Sequence, residues 1–336
     1  MSTYLNNEKI LYFPYINIPN EPWMYQSILY WDTVGIIVPP SFSEMDKPYT
    51  THIHQFILSG LITQEFTYEY AYNRNTLLSL LQYHINKPSY NISKRIKNFQ
   101  DGNTFDLFEE KFSDDILYIL EEAGLAKQIK RSSIYKKTKL YSVEKNTAYL
   151  MMTLLAFILG KNRKYTPATD SIEWDLITSG VLKSESNQDV RSSLLAQIMP
   201  YPISEDIFKV AKFKELNADK LISFRRRVEE IVFSASLIEN EEDRQMHLDL
   251  KVAEINNVKK ELIAKMNENK FMNIAYGALK GSLIDAGIAF ITGDPITLAA
   301  TTLNTIKTIS SESSKDIFGY EEIAYLALLE KKLAKK

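Results

Sequence analysis

His52 and His54 are separated by one residue. On a β-strand that spacing would set both imidazoles on one face, where neutral ring nitrogens can hold a divalent metal. The chain has only four histidines, the others being His84 and His247. Downstream, Ile57, Leu58 and Gly60 make the stretch read as the entry to a helix, on which residues two apart diverge. No metal site is expected.

A different group could line a cleft. Apolar runs stop at Pro14, Pro39 and Pro200, and Thr166 to Asp170 reads as a loop beyond a core helix. In open α/β sheets, ligands bind beyond the carboxyl ends of the strands. Asn17, the Pro39 and Pro40 rim, Thr169 and Asp170 are therefore expected around one cleft. Asp32, following Trp31, would either add a carboxylate there or hydrogen-bond the strand that begins at Val34. No two of these residues have a spacing that singles out a reaction.

Arg225, Arg226 and Arg227 could grip a phosphate or carboxylate, and Arg225 is the candidate anion contact. Three consecutive helical residues fan across about 200°, so they cannot share one ligand. A solvated face, with one arginine paired to Glu229 or Glu230, is the preferred reading. The stretch Gly277-Ala278-Leu279-Lys280-Gly281-Ser282 lacks the order and spacing of a phosphate loop. Neither a dinucleotide fingerprint nor a serine elbow occurs, and no cofactor is expected.

The elements that would carry these residues change character along the chain. Ile10 to Phe13 and Val34 to Val38 are β-prone runs, and Asn20-Glu21-Pro22 between them opens a helix. Together they predict a parallel, right-handed βαβ unit. Helical stretches ending in glycine and an apolar residue recur at Gly60-Leu61, Gly124-Leu125 and Gly180-Val181. These read as left-handed helix caps leading into extended segments. Further helices are predicted at Thr67 to Asn86, after Ser113-Asp114-Asp115, and at Glu144 to Leu159. The last of these contains the uncharged run Ala148 to Gly160, the mark of a buried core helix. Leu194 to Met199 is a further apolar segment.

From Ser204 the pattern is helical. Leu221, Phe224, Val228, Ile231, Ala235 and Ile238 recur at helical spacing, as do Leu248, Val252, Ile255, Val258, Leu262 and Met266. They predict an antiparallel hairpin over about 214–268. A second hairpin, rich in small residues, is expected over about 272–309, with a Gly277 and Gly281 step and a break at Gly293-Asp294-Pro295. Lys280, Asp285 and Lys307 interrupt it. It reads as buried core or an oligomer interface, with membrane contact as the alternative. A terminal helix is expected at about 319–334.

Leu11-Tyr12-Phe13-Pro14-Tyr15-Ile16, Trp23, and Ile28-Leu29-Tyr30-Trp31-Asp32-Thr33-Val34 together resemble the opening of a large bacterial family of unassigned activity. Its members begin with a Y-[YF]-P strand, a helix holding a tryptophan, and an L-Y-W-D step into a proline-stopped strand. The resemblance is specific over the first forty residues and extends loosely to Phe224-Arg225 and Ala324 to Leu329. It implies a shared fold and a link to anti-phage defence loci, and carries no catalytic residues.

Composition sets the outer bounds. The 336 residues are 45% hydrophobic and 24% charged, as in folded globular proteins. Forty basic residues against forty-two acidic ones leave a net charge of −2 and no strong nucleic-acid signal. The absence of cysteine removes disulfides and thiolate chemistry, and the polar N-terminus does not read as a secretory signal. A cytoplasmic protein is expected, with a mixed α/β domain at 1–203 and a helical domain at 204–336. The function expected is that of a non-enzymatic interaction or structural subunit of a bacterial assembly, with a protein partner or homo-oligomerisation. Its alternatives are a ligand sensor or enzyme using the cleft, and a membrane-acting effector using the 273–309 hairpin.

Overall fold

The computed structural model describes residues 8–19, 21–44, 49–67, 74–129, 139–171, 187–200, 206–267 and 317–333. They divide into two compact units at 186/187.

In the first unit, β1 (Lys9–Tyr12) and β2 (Thr33–Val38) pair in parallel, with Ile10 opposite Val34. Helix α1 (Glu21–Tyr30) crosses between them, as the proline-punctuated sequence predicts. Helix α2 (Thr51–Leu58) leads to β3 (Ile62–Phe66), which adds in parallel beside β2.

The segment Tyr165–Ala168 is a strand and not the loop expected from the sequence. As the last strand, β7, it pairs with β1 in parallel, and the sheet order is β3-β2-β1-β7. Pro167 has no N–H to give a ladder and hides this strand from a propensity reading, but an edge position tolerates it.

Two helix ends are built as the glycines predict. Gly60 (φ 76°) and Gly124 (φ 71°) take the left-handed conformation. The amides of Leu61 and Leu125 return to the carbonyls of Phe56 (3.1 Å) and Leu120 (2.8 Å). This is the double closure in which an apolar residue folds back on the last turn, and both chains enter strands within two residues. Gly180 lies outside the described residues.

Between β3 and β7 the chain forms α3 (Arg74–Ile85), α4 (Ile92–Gln100), β4 (Thr104–Phe108), α5 (Asp114–Glu122), β5 (Ala126–Ile129), β6 (Leu140–Glu144) and α6 (Lys145–Arg163). Helix α3 begins later than the Thr67 the sequence suggests; buried Thr67 instead donates its hydroxyl to the Glu110 carbonyl at 2.8 Å. Strands β4, β6 and β5 make an antiparallel sheet in that order. The uncharged run of α6 is buried except for Phe157, and it packs with α3, α5 and the Leu11 and Ile37 face of the parallel sheet. On the opposite face, the Tyr12 ring meets Trp23 of α1 at 5.2 Å.

The second unit is helical: α7 (Gln188–Ile198), α8 (Ile207–Leu216), α9 (Ala218–Ser236), α10 (Glu241–Asn267) and α11 (Ile317–Leu333). Ser234 meets His247 at 3.0 Å and Arg227 meets Glu254 at 2.9 Å. Stepping back along α9 thus steps forward along α10, so the expected antiparallel hairpin is present. Helix α11 packs on both, stacking Tyr325 on Phe224 at 5.8 Å. Helix α7 belongs to this unit, since Arg191 clasps Glu229 of α9 through two 2.6 Å bonds. The sequence pattern alone places the division at 203, because the unbroken helical periodicity begins only at Ser204. The small-residue hairpin, with Gly277, Gly281, Gly293 and Pro295, lies outside the described residues. No helix among the described residues is long and apolar enough to cross a membrane.

Candidate ligand cleft

The carboxyl end of β1 runs on through Phe13, a cis Pro14, Tyr15, Ile16 and Asn17. The end of β2 runs into Pro39 and the 3-10 turn Pro40–Glu44, which carries Phe42. Strand β4 and the following turn Glu109–Lys111 form the other wall. These segments enclose a cavity of about 200 Å³ in the first unit. Four aromatic rings line it, with Tyr15 beside Phe105 (5.5 Å) and Phe42 edge-on to Phe108 (5.4 Å). Three polar side chains join them: Asn17, Asp106 and Lys111.

Lys111 is the unusual one. It is 2% exposed, and its Nζ donates to the Pro14 carbonyl over 3.4 Å. Its two acidic neighbours are engaged elsewhere. Glu109 takes Lys139 at 2.8 Å, and the Glu110 carboxylate accepts the Ser41 amide at 2.8 Å. Among the described residues no carboxylate forms an ion pair with Lys111. Loss of hydration on burial pushes its amine down to about 7. A buried amine with spare donors beside an aromatic cavity suits a small ligand bearing an anionic or carbonyl group.

The expected site residues separate. Asn17 does line the cavity, at its exposed rim, where its Oδ1 accepts the Thr50 amide at 3.2 Å. That assignment leaves its side-chain nitrogen as the remaining donor. Thr169 and Asp170 lie at the carboxyl end of β7 but outside the lining. Asp170 accepts from the Tyr12 hydroxyl at 2.9 Å, and Thr169 Oγ1 accepts the Ser171 amide at 3.3 Å. Burial first, then the Asp170 charge, holds the Tyr12 hydroxyl neutral far above its usual range.

Asp32 belongs to the opposite end of the sheet. It precedes β2, and in a parallel sheet residues entering one strand lie beside those entering the next; its carboxylate accepts the Glu8 amide at 2.7 Å. It thus holds the entry to β1, outside the cleft, and its carboxylate bond goes to Glu8 and not to the strand that begins at Val34.

Arg225 is 1% exposed inside the helical unit, near Tyr325, and cannot meet an external anion. Arg226 and Arg227 both approach Glu322 of α11, at 3.5 and 3.8 Å, and Arg227 also reaches Glu230 at 3.6 Å. The fan of three arginines is real, but one blade points into the core.

His52 and His54 lie on α2, where His52 Nε2 is 3.0 Å from the Tyr25 hydroxyl and His54 is exposed. Among the described residues no three His, Cys, Asp or Glu side chains gather to hold a metal. Sequence reasoning missed Lys111 and Asp106, because Phe105 to Lys111 carries charge at a spacing that reads as a solvated turn. No protein-family model, curated protein or solved structure matches the chain.

Proposed function

We propose that the protein binds a small organic molecule in the cleft at the carboxyl ends of its parallel strands. The observation that supports this is buried Lys111, a residue of the cavity lining, whose amine has no carboxylate ion pair among the described residues. A ligand with a compact apolar body would stack on Phe42 and Phe105, and its acidic or carbonyl oxygen would take the Lys111 protons. The cavity's volume, about 200 Å³, suits a body of roughly one ring. In a cytoplasmic protein of this kind the role would be that of a ligand sensor. Thermal unfolding with benzoate tests it. Saturating ligand should stabilise the native chain by about 2 to 3 kcal/mol at a hundredfold excess over Kd, and Lys111→Met should abolish the shift. A shift retained in the variant would end this reading.

A second reading, docking of a protein partner or a second copy by the helical unit, is favoured by four exposed apolar side chains on the α9 and α10 pair. Phe233, Leu237, Met246 and Leu250 are 64%, 68%, 61% and 64% exposed. Light scattering on the purified protein, and on the protein with co-purifying partners, tests it.

A further inference from the structure

We infer that Lys111 is a carbonyl-reactive amine, which condenses with a small aldehyde or ketone entering the aromatic cavity to form an imine. The inference rests on the ligand-binding reading and narrows the ligand to a carbonyl compound. Three observations converge on it. Lys111 and Pro14 both line the cavity, and the amine makes one long bond, 3.4 Å, to the Pro14 carbonyl. The nearest acids in sequence, Glu109 and Glu110, are committed to Lys139 and Ser41. Lys111 is 2% exposed, so its amine lacks the water that would keep an ammonium charged.

The chemistry balances without any co-reactant. The nitrogen lone pair attacks the carbonyl carbon, a C–N bond forms, and the C=O π pair moves to oxygen. A proton passes from nitrogen to that oxygen, giving the carbinolamine. Cleavage of the C–O bond then releases one water, formed with the second nitrogen proton, and leaves the C=N bond. Nothing is oxidised or reduced. The depressed amine supports this step, because about half of it is neutral near pH 7, whereas an ordinary lysine is almost wholly protonated.

The test uses the full chain with benzaldehyde, trapped by borohydride at pH 7, and benzoate as a partner probe that cannot condense. Intact mass should show one benzyl group, and peptide mapping should place it on Lys111, with labelling on the order of a hundredfold above any surface lysine. Lys111→Arg, which keeps the charge and loses the nucleophile, should not label. Mapping on the unaltered chain decides the matter even if that variant folds poorly. Label spread evenly over surface lysines, or absent from Lys111, overturns the inference. If benzoate still stabilises the protein while Lys111 stays unlabelled, the imine fails and the ligand cleft stands. If neither probe acts, both fail.

Discussion

The Tyr165 hydroxyl donates to Glu65 Oε1 at 2.6 Å, joining the first and last strands of the parallel sheet across the two between them. Its ring passes over Gly35 of β2. A Cβ at Gly35 would stand 3.0 Å from the Tyr165 ring, 3.1 Å from Leu11 and 3.2 Å from Glu65. The space for a side chain at this position is therefore limited by Tyr165, Leu11 and Glu65 and not by the glycine's own backbone angles. Arg163, 3.4 Å from Glu65, completes the charge balance.

Gly35→Val should displace Tyr165 and cost about 2 to 3 kcal/mol. Tyr165→Phe keeps the ring and removes both the donor to a buried carboxylate and the 3.0 Å bond with the Thr63 hydroxyl, so it should cost about 1 to 3 kcal/mol. Urea unfolding of both variants checks the ordering. A Gly35→Val chain as stable as the parent would show that the ring does not need this space.

Lys111 gives a pH prediction with a definite sign. Its amine lies near 7 when folded, against an ordinary 10.5. Between those values the unfolded chain binds the extra proton, so the lysine's contribution to stability rises with pH across the window. Below about 7 both states are protonated and the penalty is complete. Lys111→Met should remove this slope and raise stability at pH 7 by on the order of a few kcal/mol. The gain should shrink toward pH 10. Paired denaturant titrations from pH 6 to about 10 measure it, and parallel pH profiles for the two chains would contradict it.

Glu144 anchors the start of α6 and the end of β6 together. Fully buried, it accepts from the Thr147 amide at 2.8 Å, the Thr147 hydroxyl at 2.7 Å and Asn98 Nδ2 at 3.2 Å, with Arg95 at 3.6 Å. Glu144→Ala removes a helix cap and leaves Arg95 facing a hole, for an expected loss of about 3 kcal/mol. Glu144→Gln should recover part of it, because the amide oxygen still caps. Hydrogen exchange at the amides of α6 reports the local effect directly.

Much of the frame was legible in sequence where the signal is local. Proline at the start of α1 and after β2, glycine after α2 and α5, and the uncharged run of α6 each act within a few residues. The antiparallel sheet was not legible. Strand β4 must find β6 across more than thirty residues, and its burial is only partial, so no alternation stands out. The allegiance of α7 depends on the Arg191 and Glu229 pair, separated by 38 positions. Asn17 follows from the rule that clefts open at carboxyl strand ends, and it lines the cavity there. Asp32 follows a helix and precedes β2, so it stands at the entering end of the sheet, away from the cleft, where its carboxylate accepts the Glu8 amide. Lys111 was invisible because a lysine after two glutamates reads as solvent-facing until the fold turns it inward.

The α9 and α10 pair separates stability from docking. Phe233 and the α9 cap residue Leu237 lie one turn apart, as do Met246 and Leu250 on α10, each well exposed. The core positions of the same helices, Val228, Ile231, Leu248 and Ile255, are buried. Polar substitution of the exposed set therefore removes little packing, and Phe233→Ser with Leu250→Ser should change stability by less than about 1 kcal/mol. Ile231→Ser in the core should cost about 3 kcal/mol or more. If the helical unit docks a partner or a second copy, the surface pair should lose the complex in light scattering while keeping its unfolding midpoint. A complex that survives the surface pair would place the docking surface elsewhere on the chain.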